Sequence, residues 1–436
     1  MKRFLLFSGI FVVAMVCFLV SCSLAQVEIV IWHMEQPPHR VEQFQKTIDA
    51  FNKENPNVRV RQVVLDWMEA YTKVMAAIAA KQQPDLMFTI PDFTTAVKPS
   101  GAVQPVDEIF KMLDENYRFF ESAVEPYYYD GHYWAIPVYG MVHMLWFRKD
   151  IFSKFGLDPN NPPKTWEELL EYAQRIGKSG EIYGVGVPAS KHMYTDQAIY
   201  TFMITNKAED LFDESGNLIF DNPRTIQTYA FYRELYKLSP PDASVWTWAE
   251  PQLAFNTGKM AMAIEKGQFL LPFEKESGVP GTNLGCAIVP IPKDGQRGSI
   301  YYSNGVMVLT KDQGKLEAVK AFLSYLFGPE VNGEWLAGME PGLFLPVTEA
   351  TMNSSAFWSN EVVSQYRDHV ELMIEQSRFG KLFGFTKGRV NPDIGKISGQ
   401  NILAQVVQKV CLENMDPAEA VKWGQSEMLK ALQRKK

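Results

Sequence analysis

The sequence predicts an α/β fold, and three observations support this prediction. Residues 27–32 are apolar at nearly every position, as expected of a strand buried on both faces of a parallel sheet. A segment with apolar residues on one helical face follows Pro37-Pro38. The strand-helix alternation then continues to residue 88 in the order β-α-β-α-β. Such alternation is typical of a three-layer α/β lobe.

Each of these first elements has its own local signal. The apolar positions of the first helix recur every three or four residues, and Asn55-Pro56-Asn57 ends it with turn-forming residues. The next strand alternates apolar and polar residues. In chain order, the elements are a strand at 27–32, a helix marked by Val41, Phe44, Ile48 and Phe51, a strand at 58–63, a helix marked by Tyr71, Val74 and Ile78, and a short strand at 86–88.

Later segments continue the same style. Thr165 and Glu168 have the spacing of a capping box, which predicts a helix beginning beside Trp166. Leu316, Val319, Phe322, Leu323 and Leu326 form another helical stripe, and Pro417 stands at the first position of a last helix. The chain shows no repeat of solenoid or propeller period and no Gly/Ser-rich linker. We therefore expect two lobes joined by crossing strands rather than separate domains on a flexible linker.

The N-terminus has the order of a secretory signal peptide over residues 1–25. Met1-Lys2-Arg3 is basic, residues 4–20 are almost wholly apolar, and small residues follow. An uncleaved membrane anchor is the alternative. Two cleavage sites compete, because Ser23-Leu24-Ala25 suits an ordinary signal peptidase before Gln26, whereas Leu19-Val20-Ser21-Cys22 resembles a lipobox with Cys22 as the lipidated residue. Both place the protein in the periplasm or elsewhere outside the cytoplasm.

Composition excludes several classes of protein. The 436 residues are 46% hydrophobic and 21% charged, with a formal charge of −7, so there is ample apolar side chain for a folded core. The acidic balance argues against nucleic-acid binding and against a polybasic membrane-surface protein, which leaves a lipid anchor as the expected membrane contact. After cleavage only Cys286 and Cys411 remain. We expect two buried thiols, with a single disulfide as the alternative.

Common enzyme motifs are absent or incomplete. Tyr172 replaces the first glycine of a phosphate loop, and Tyr301 replaces the leading glycine of a nucleophile elbow at Ser303. Residues 184–189 match a loose dinucleotide pattern, but Pro188 spoils the strand-turn-helix context, so we interpret them as a strand exit. The six histidines lack zinc-site spacing. We therefore expect no catalytic residues, no metal and no cofactor, although a glycosidase-type carboxylate pair stays an open alternative.

Aromatic residues beside polar groups favour a ligand-binding interpretation. Aromatic side chains are 13% of the chain, and several tryptophans stand at strand ends or in loops, as in Trp32-His33, Asp66-Trp67 and Trp246-Thr247-Trp248. A sugar presents apolar C–H faces to an aromatic ring and hydroxyl groups to polar side chains. The alternative is that these are ordinary core or surface aromatics. Trp134, Trp166 and Trp423 lie within element patterns, so we interpret them as structural.

Several motifs together resemble the extracytoplasmic solute-binding proteins of ABC importers, within the carbohydrate-binding group that includes maltose-binding proteins (family 1). The resemblance spans nearly the whole chain after residue 25. Its most specific part is Phe255-Asn256-Thr257-Gly258-Lys259-Met260-Ala261-Met262. The other similar segments are residues 51–60 (FNKENPNVRV), 130–138 (DGHYWAIPV), 145–152 (LWFRKDIF) and 163–169 (PKTWEEL). In one departure, Glu265 and Gln268 stand near the positions where the family often has a Gly and a ligand-stacking Trp.

The resemblance implies a two-lobe periplasmic-binding-protein fold of type II, with each lobe a three-layer α/β sandwich and a ligand cleft at the hinge. It places lobe one at 26–138 and 298–340, and lobe two at 139–297 and 341–436. A bound ligand would favour the closed form by contacting both lobes. The implied ligand-binding residues, near strand ends, are Trp32, His33, Glu35, Trp67 and Asp92 in lobe one, Trp248, Glu265 and Gln268 in lobe two, and also Asn304 and Arg389.

The resemblance also implies partners. We expect a small-molecule solute, foremost a sugar or oligosaccharide, ABC transporter permease subunits, and a protein that acts as a monomer. The same fold binding a non-sugar solute, such as a polyamine or glycerol phosphate, is one alternative. A polyamine would suit the acidic charge, whereas a phosphate ester would need an Arg/Lys cluster. A secreted carbohydrate-active enzyme is the other alternative.

Overall fold

The structure is a computed structural model that describes residues 26–386 and 389–433. The predicted signal peptide at 1–25, including Cys22, lies outside the described residues. None of the helices in these described ranges has the length and apolar character needed to cross a membrane.

Strands and helices alternate along the described chain. The strands are β1 (Val27–His33), β2 (Val58–Val64), β3 (Leu86–Thr89), β4 (Tyr128–Tyr129), β5 (His132–Tyr133), β6 (Ile136–Val142), β7 (Met144–Arg148), β8 (Met262–Glu265), β9 (Leu284–Ala287), β10 (Ser299–Val308), β11 (Gly380–Lys381), β12 (Phe385–Thr386) and β13 (Arg389–Val390). The helices are α1 (Pro38–Glu54), α2 (Trp67–Ala79), α3 (Pro91–Val97), α4 (Asp107–Tyr117), α5 (Glu121–Val124), α6 (Lys149–Lys154), α7 (Trp166–Gly177), α8 (Met193–Thr205), α9 (Pro223–Tyr236), α10 (Glu250–Asn256), α11 (Phe273–Ser277), α12 (Gln313–Leu326), α13 (Pro329–Met339), α14 (Glu349–Met352), α15 (Ser355–Trp358), α16 (Glu361–Gln365), α17 (Arg367–Ser377), α18 (Ile394–Ser398), α19 (Ile402–Cys411) and α20 (Pro417–Gln433).

The first sheet contains the parallel strands predicted from the N-terminal pattern. Strand β1 pairs in parallel with β2, with Val27 opposite Val58, and in parallel with β3, with Trp32 opposite Met87. Strand β10 adds to β3 in the antiparallel sense and pairs with β6 as well. The carboxyl ends of β1 and β3 therefore open at one edge of the first sheet, where ligands of open α/β sheets bind.

The second sheet is smaller and antiparallel. Strand β7 lies between β8 and β9, with Trp146 opposite both Ala263 and Cys286. The segment interpreted as a strand exit adds only an isolated bridge between Gly186 and Ala263 at the edge of β8, so it is not a full strand. Gly184 is required there because a Cβ atom would stand 2.0 Å from the carbonyl oxygen of Ala173 in α7.

The chain passes from the first sheet to the second at His143, between β6 and β7. The backbone N–H of His143 donates to Ile300 O, and Ser299 Oγ donates to the carbonyl oxygen of His143 at 2.7 Å. Strands β6 and β10 therefore run side by side at the junction of the two sheets, which is where the crossing strands of a hinge were expected.

The described chain has two hydrophobic cores, and each contains residues from both sheets. The first core includes Ile29, Phe44 and Trp335, and the second includes Leu169 and Phe202, together with residues of α19 and α20. The first core also contains Trp146 of β7 and Leu284 of β9, and the second contains Ile300 and Tyr302 of β10, so both cores extend across the junction of the sheets. The residues between them that line the junction are those that position the site described below.

The C-terminal segment approaches both sheets. Leu345 exchanges two backbone hydrogen bonds with Gly140 in β6, and Thr348 forms a bridge with Phe119. Farther on, His369 Nε2 lies 3.0 Å from the carbonyl oxygen of Leu284 in β9. The predicted lobe boundaries stay a prediction. These contacts favour a last passage of the chain from the first lobe to the second after α15, rather than at residue 341.

Several local predictions are confirmed. The Thr165 hydroxyl accepts the backbone N–H of Glu168, whose carboxylate accepts the N–H of Thr165, which is the predicted capping box. The last helix begins at Pro417 as expected. Cys286 and Cys411 are free thiols, but each residue is only partly buried, whereas two buried thiols were expected. Burial nevertheless raises the pKa of the Cys411 thiol to about 12.

Candidate functional site

A cavity of about 320 Å³ lies at the junction of the two sheets. Its walls come from the segment after β1, the start of α2, the crossing strands β6 and β10, and loops of the second sheet. The residues that line it are Met34, Glu35, Gln36, Pro37, Arg40, Trp67, Ile90, Met141, His192, Met193, Gln197, Trp248, Ala249, Gln252, Lys266, Gln268, Tyr302, Asn304, Leu343 and Phe344. A molecule in this cavity would touch both sides of the junction.

A closed charge network forms the wall beside α1. Arg40 Nη1 donates to Glu35 Oε2 at 2.8 Å, and Arg40 Nε donates to Glu340 Oε2 at 2.9 Å. The other oxygen of Glu35 accepts the Tyr139 hydroxyl at 2.5 Å. Burial tends to lower the pKa of Arg40, but Glu35 and Glu340 outweigh that effect and raise it. The guanidinium is therefore fixed and neutralised before any ligand arrives.

Lys266 stands on the opposite wall, directly after β8. Its ammonium group donates to Gln197 Oε1 at 2.7 Å and lies 4.5 Å from the centre of the Trp248 ring. The Lys266 residue is only 6% exposed. Burial lowers the pKa of this amine, and the charge of Arg40 acts in the same direction.

The crossing strand β10 supplies polar atoms to the floor of the cavity. Asn304 Nδ2 donates to the Tyr139 hydroxyl at 2.9 Å, whereas Asn304 Oδ1 has no hydrogen-bond partner in the described chain. Gln268 Oε1 is likewise buried without a partner. Buried acceptors without a donor are costly, so these two oxygens are suited to hydroxyl or N–H groups of a ligand.

Aromatic rings complete the walls. Trp67 and Trp248 stand on opposite sides of the junction, and the Phe344 ring packs against Tyr139 with centroids 4.1 Å apart. The His192 ring meets Trp248 edge-on at 5.2 Å. Burial lowers the pKa of His192, so this ring stays uncharged near neutral pH. The cavity therefore combines ring faces with amide groups and one buried ammonium.

Five of the ten residues predicted as ligand-binding line this cavity. The structure brings together Glu35 and Trp67 from the first side, Trp248 and Gln268 from the second, and Asn304 from β10. Their positions are consistent with the predicted role, which itself stays a prediction.

Two predicted residues at β1 and α3 do not line the cavity because they have structural partners. His33 Nδ1 accepts the backbone N–H of Glu35 at 3.2 Å, and its Nε2 lies 2.7 Å from Gln62 Oε1, so the ring shapes the turn that presents Glu35. Asp92 accepts the Ser398 hydroxyl at 2.8 Å from α18. Burial raises the pKa of Asp92.

Trp32 and Glu265 also stand away from the lining, and of Arg389 the structure describes only the backbone. Trp32 is partly buried and packs against the first core. Glu265 is fully buried, its Oε1 accepts the backbone N–H of Lys266 at 2.8 Å, and the same oxygen lies 3.6 Å from His143 Nε2. Arg389 belongs to the short strand β13, and its side chain lies outside what the structure describes.

Sequence reasoning missed Arg40, Gln197, Lys266 and Phe344. Lys266 was within reach, because it follows the chosen Glu265 and adjacent residues of an extended segment point to opposite faces. The structure places Lys266, and not the predicted Glu265, among the lining residues. Arg40 and Gln197 had no comparable local signal, and the structure places them within the helices α1 and α8.

Comparison with known proteins places this architecture among binding proteins. Residues 37–333 match the family described as "Bacterial extracellular solute-binding protein". One similar protein is the "Putative ABC transporter periplasmic-binding protein YcjN" of Escherichia coli (strain K12), 25% identical over 94% of this chain and 96% of that protein. The sn-glycerol-3-phosphate-binding periplasmic protein UgpB of the same strain is 27% identical over 69% of this chain and 70% of that protein.

Solved structures share the fold. An ABC transporter solute-binding protein from Thermotoga lettingae TMO, bound with alpha-D-tagatose, has a TM-score of 0.77 and 23% identity, covering 93% of this chain and 100% of that chain. Maltose-bound MalE3 of T. maritima has a TM-score of 0.78 and 17% identity, covering 93% and 99%. These similarities confirm the predicted two-lobe α/β fold with a cleft between the lobes.

Proposed function

The chain belongs to the bacterial extracellular solute-binding proteins, and from that premise we propose that it is the substrate-binding component of an ABC importer and takes a sugar or polyol into its interlobe cavity. The ligand would contact both lobes, favour their closed arrangement and be delivered to the membrane permease. The protein would act as a monomer outside the cytoplasm.

The lining of the cavity is the observation that carries this proposal. Ring faces of Trp67 and Trp248 occur beside the amides of Gln197, Gln252 and Gln268. A sugar ring presents C–H faces that pack on aromatic rings and hydroxyl groups that bond to amides. A volume of about 320 Å³ lies in the range of small-molecule sites.

The polar atoms without partners support the same class of ligand. Gln268 Oε1 and Asn304 Oδ1 are acceptors that need donors. A sugar hydroxyl donates one hydrogen bond and accepts others, so hydroxyl groups would satisfy both oxygens. The sugars held by the two similar solved structures add support from the fold, although they were found in those proteins and not in this one.

The same lining argues for binding rather than hydrolysis. Glu35 is the one carboxylate among the lining residues of the described chain, and its two oxygens are engaged by Arg40 and Tyr139. A glycosidase of the common kind needs two carboxyl groups flanking the scissile bond. We therefore favour a binding protein over a carbohydrate-active enzyme.

The route to the compartment is part of the proposal. Residues 1–25 would serve as a secretory signal, with cleavage before Gln26 or lipidation at Cys22. Mass spectrometry of the protein expressed in a bacterial host distinguishes these two forms, since a lipidated Cys22 adds the mass of acyl chains and starts the chain four residues earlier.

A thermal-shift screen tests the proposed function. The panel contains neutral and acidic sugars and polyols, with polyamines and glycerol phosphates as comparison solutes. A ligand that binds only the folded state stabilises it by about 2.7 kcal/mol at a hundredfold excess over the Kd. We expect a raised Tm with one sugar or polyol class. Shifts confined to polyamines or glycerol phosphates would contradict the ligand class, and a sugar consumed overnight would contradict the non-catalytic role.

A further inference from the structure

Lys266 is a buried charge of the cavity and has no ion-pair partner among the residues that the structure describes. Its ammonium group can donate three hydrogen bonds, and the structure gives it one acceptor, the neutral Gln197 Oε1 at 2.7 Å. Another side of the group faces the Trp248 ring. No carboxylate of the described chain forms an ion pair with it, although the residue is only 6% exposed. A buried ammonium in this state is costly unless an anion compensates it.

The second cation of the cavity is not available for that role. Arg40 is held by Glu35 at 2.8 Å and by Glu340 at 2.9 Å, on the opposite wall. Its charge is therefore cancelled within the protein, whereas the Lys266 ammonium faces the cavity. Among the lining residues that the structure describes, an incoming anion would therefore meet Lys266 as the cation without a carboxylate partner.

The charged and titratable groups around Lys266 do not occupy its ammonium group, so it stays available to an anionic ligand. Glu265 attracts the ammonium through space, but it is fully buried, does not line the cavity, and uses Oε1 to accept the backbone N–H of Lys266. His143 lies beside Glu265, and burial keeps its pKa well below the ordinary value. His192 lines the cavity and is uncharged near neutral pH because burial lowers its pKa.

Two other lining residues require hydrogen-bond donors from the ligand. Gln268 Oε1 and Asn304 Oδ1 accept hydrogen bonds and cannot donate them. The ligand must therefore combine hydrogen-bond donors with one anionic group. A polyhydroxylated carboxylate has this combination, whereas an unsubstituted carboxylate lacks the donors.

We propose that the cavity recognises a sugar carboxylate, a uronate or an aldonate, with its carboxylate bound to the ammonium of Lys266 and its hydroxyl groups bound to Gln268 and Asn304. This inference rests on the proposed function and narrows its ligand class. One free ammonium matches a singly charged carboxylate, whereas a phosphate ester carries more charge and is typically bound by a cluster of cations.

Calorimetric titration of matched acid and neutral pairs tests the assignment. The pairs are D-galacturonate with D-galactose, D-glucuronate with D-glucose, D-gluconate with D-glucitol, and digalacturonate with its methyl ester. D-glucose 6-phosphate and glycerol 3-phosphate form a separate arm. We expect the acid of one pair to bind at least about tenfold more tightly than its neutral partner, since hydrogen bonds to charged groups contribute more than neutral ones.

Two variants show whether Lys266 is the source of this preference. Lys266→Met removes the charge and keeps an apolar stem over Trp248, so acid binding should weaken about tenfold to a hundredfold and the difference in affinity between each acid and its neutral partner should disappear. Gln197→Glu places a carboxylate beside the ammonium. It should weaken acid binding by a similar factor and so abolish the preference for the acid over its neutral partner. Lys409→Met is the matched control, because Lys409 lies 4.4 Å from the Trp423 ring outside the cavity.

The outcomes separate the two proposals. Equal affinity within every pair, or an acid preference that persists in Lys266→Met, would overturn the carboxylate assignment while leaving a sugar-binding protein. Tighter binding of the phosphate esters than of the sugar carboxylates would identify a phosphate as the preferred anion and would also overturn the carboxylate assignment. Failure of every sugar and polyol in the panel would overturn the proposed function together with this inference.

Discussion

The ammonium nitrogen of Lys266 lies 4.5 Å from the centre of the Trp248 ring. This contact joins the end of β8 to the segment before α10. Each residue orients the other at the cavity wall. Trp248 is 38% exposed and therefore keeps part of its surface free for a ligand. The pair thus combines a charge with an aromatic surface in one wall of the cavity.

The first prediction concerns that ring. Trp248→Ala removes a packing surface for the ligand and the aromatic neighbour of Lys266, so we expect affinity for the cognate solute to fall about tenfold, or ~1.4 kcal/mol. Isothermal titration calorimetry measures the change. Trp423→Ala, at the similar Lys409–Trp423 contact, should leave affinity unchanged. Equal losses in both variants would show that Trp248 acts through general stability.

The second prediction concerns the network of Arg40. Arg40→Met removes the guanidinium from two buried carboxylates, Glu35 and Glu340, while His39 Nε2 stays 2.8 Å from Glu340 Oε2, and we expect the free energy of unfolding to fall by about 3 kcal/mol. Urea denaturation measures this loss as a lower midpoint at unchanged slope. Arg59→Met is the comparison, because Arg59 is exposed and lies 3.9 Å from Glu28. A loss no larger than in Arg59→Met would contradict the buried network.

The third prediction concerns a close backbone approach beside the cavity. A Cβ atom on Gly267 would stand 2.0 Å from the carbonyl oxygen of Gly342, so Gly267→Ala must separate the backbone between Lys266 and Gln268 from the backbone at Gly342. We expect a loss of about 2 kcal/mol in stability, typical of overpacking, and weaker solute binding. Thermal unfolding and calorimetry measure the two effects.

The matched control for that substitution is Gly177→Ala. Gly177 ends α7, and a Cβ atom there meets no heavy atom within 4 Å. Alanine is a better helix former than glycine, so this variant should be neutral or slightly stabilising. If Gly267→Ala behaved like Gly177→Ala, the close approach to Gly342 would not be present in solution.

The fourth prediction concerns Asp196 in α8, which accepts the backbone N–H of Ala404 at 2.6 Å. Burial raises the pKa of Asp196 from 3.8 to about 7. Because the folded state holds this proton more tightly, the group contributes most stability at low pH and loses it as pH rises from about 4 to about 7. This pKa shift corresponds to a decrease on the order of 4 kcal/mol in the free energy of unfolding over that pH range.

Asp196→Asn removes this titration while keeping an acceptor for Ala404. The stability of the native protein relative to this variant should therefore rise as pH falls from about 7 to about 4, measured by urea unfolding at each pH. Asp213→Asn should show the opposite sign, because hydrogen bonds from Asn217 lower the pKa of exposed Asp213. A difference that does not vary with pH in Asp196→Asn would contradict the raised pKa.

Local signals explain which parts of the fold were predictable. The Thr165–Glu168 capping box and the proline at the start of α1 are written within a few residues of sequence, and both are confirmed. The parallel pairing of β1 followed from its continuous apolar pattern. The extent of Cys286 and Cys411 burial depended on the packing of distant segments, so local sequence misjudged it.

The candidate site was less predictable because it depends on distant segments. Tyr139 and Glu340 reach the Glu35–Arg40 pair from more than a hundred and about three hundred residues away. Aromatic and amide residues beside strand ends were a useful guide, as Trp67, Trp248 and Asn304 show. His33 and Asp92 are buried against partners within the protein and therefore do not line the cavity. No pattern in their own segments predicted those partners, Gln62 and Ser398.

Calorimetric titration of the purified protein with the solute that gives the largest thermal shift, followed by chemical recovery of that solute, tests the central claim most directly. We predict one molecule bound per chain, a reduced affinity in Trp248→Ala, and complete recovery of the unchanged sugar or polyol. Undiminished binding in Trp248→Ala would contradict recognition in this cavity, and recovery of a converted product would contradict a binding protein.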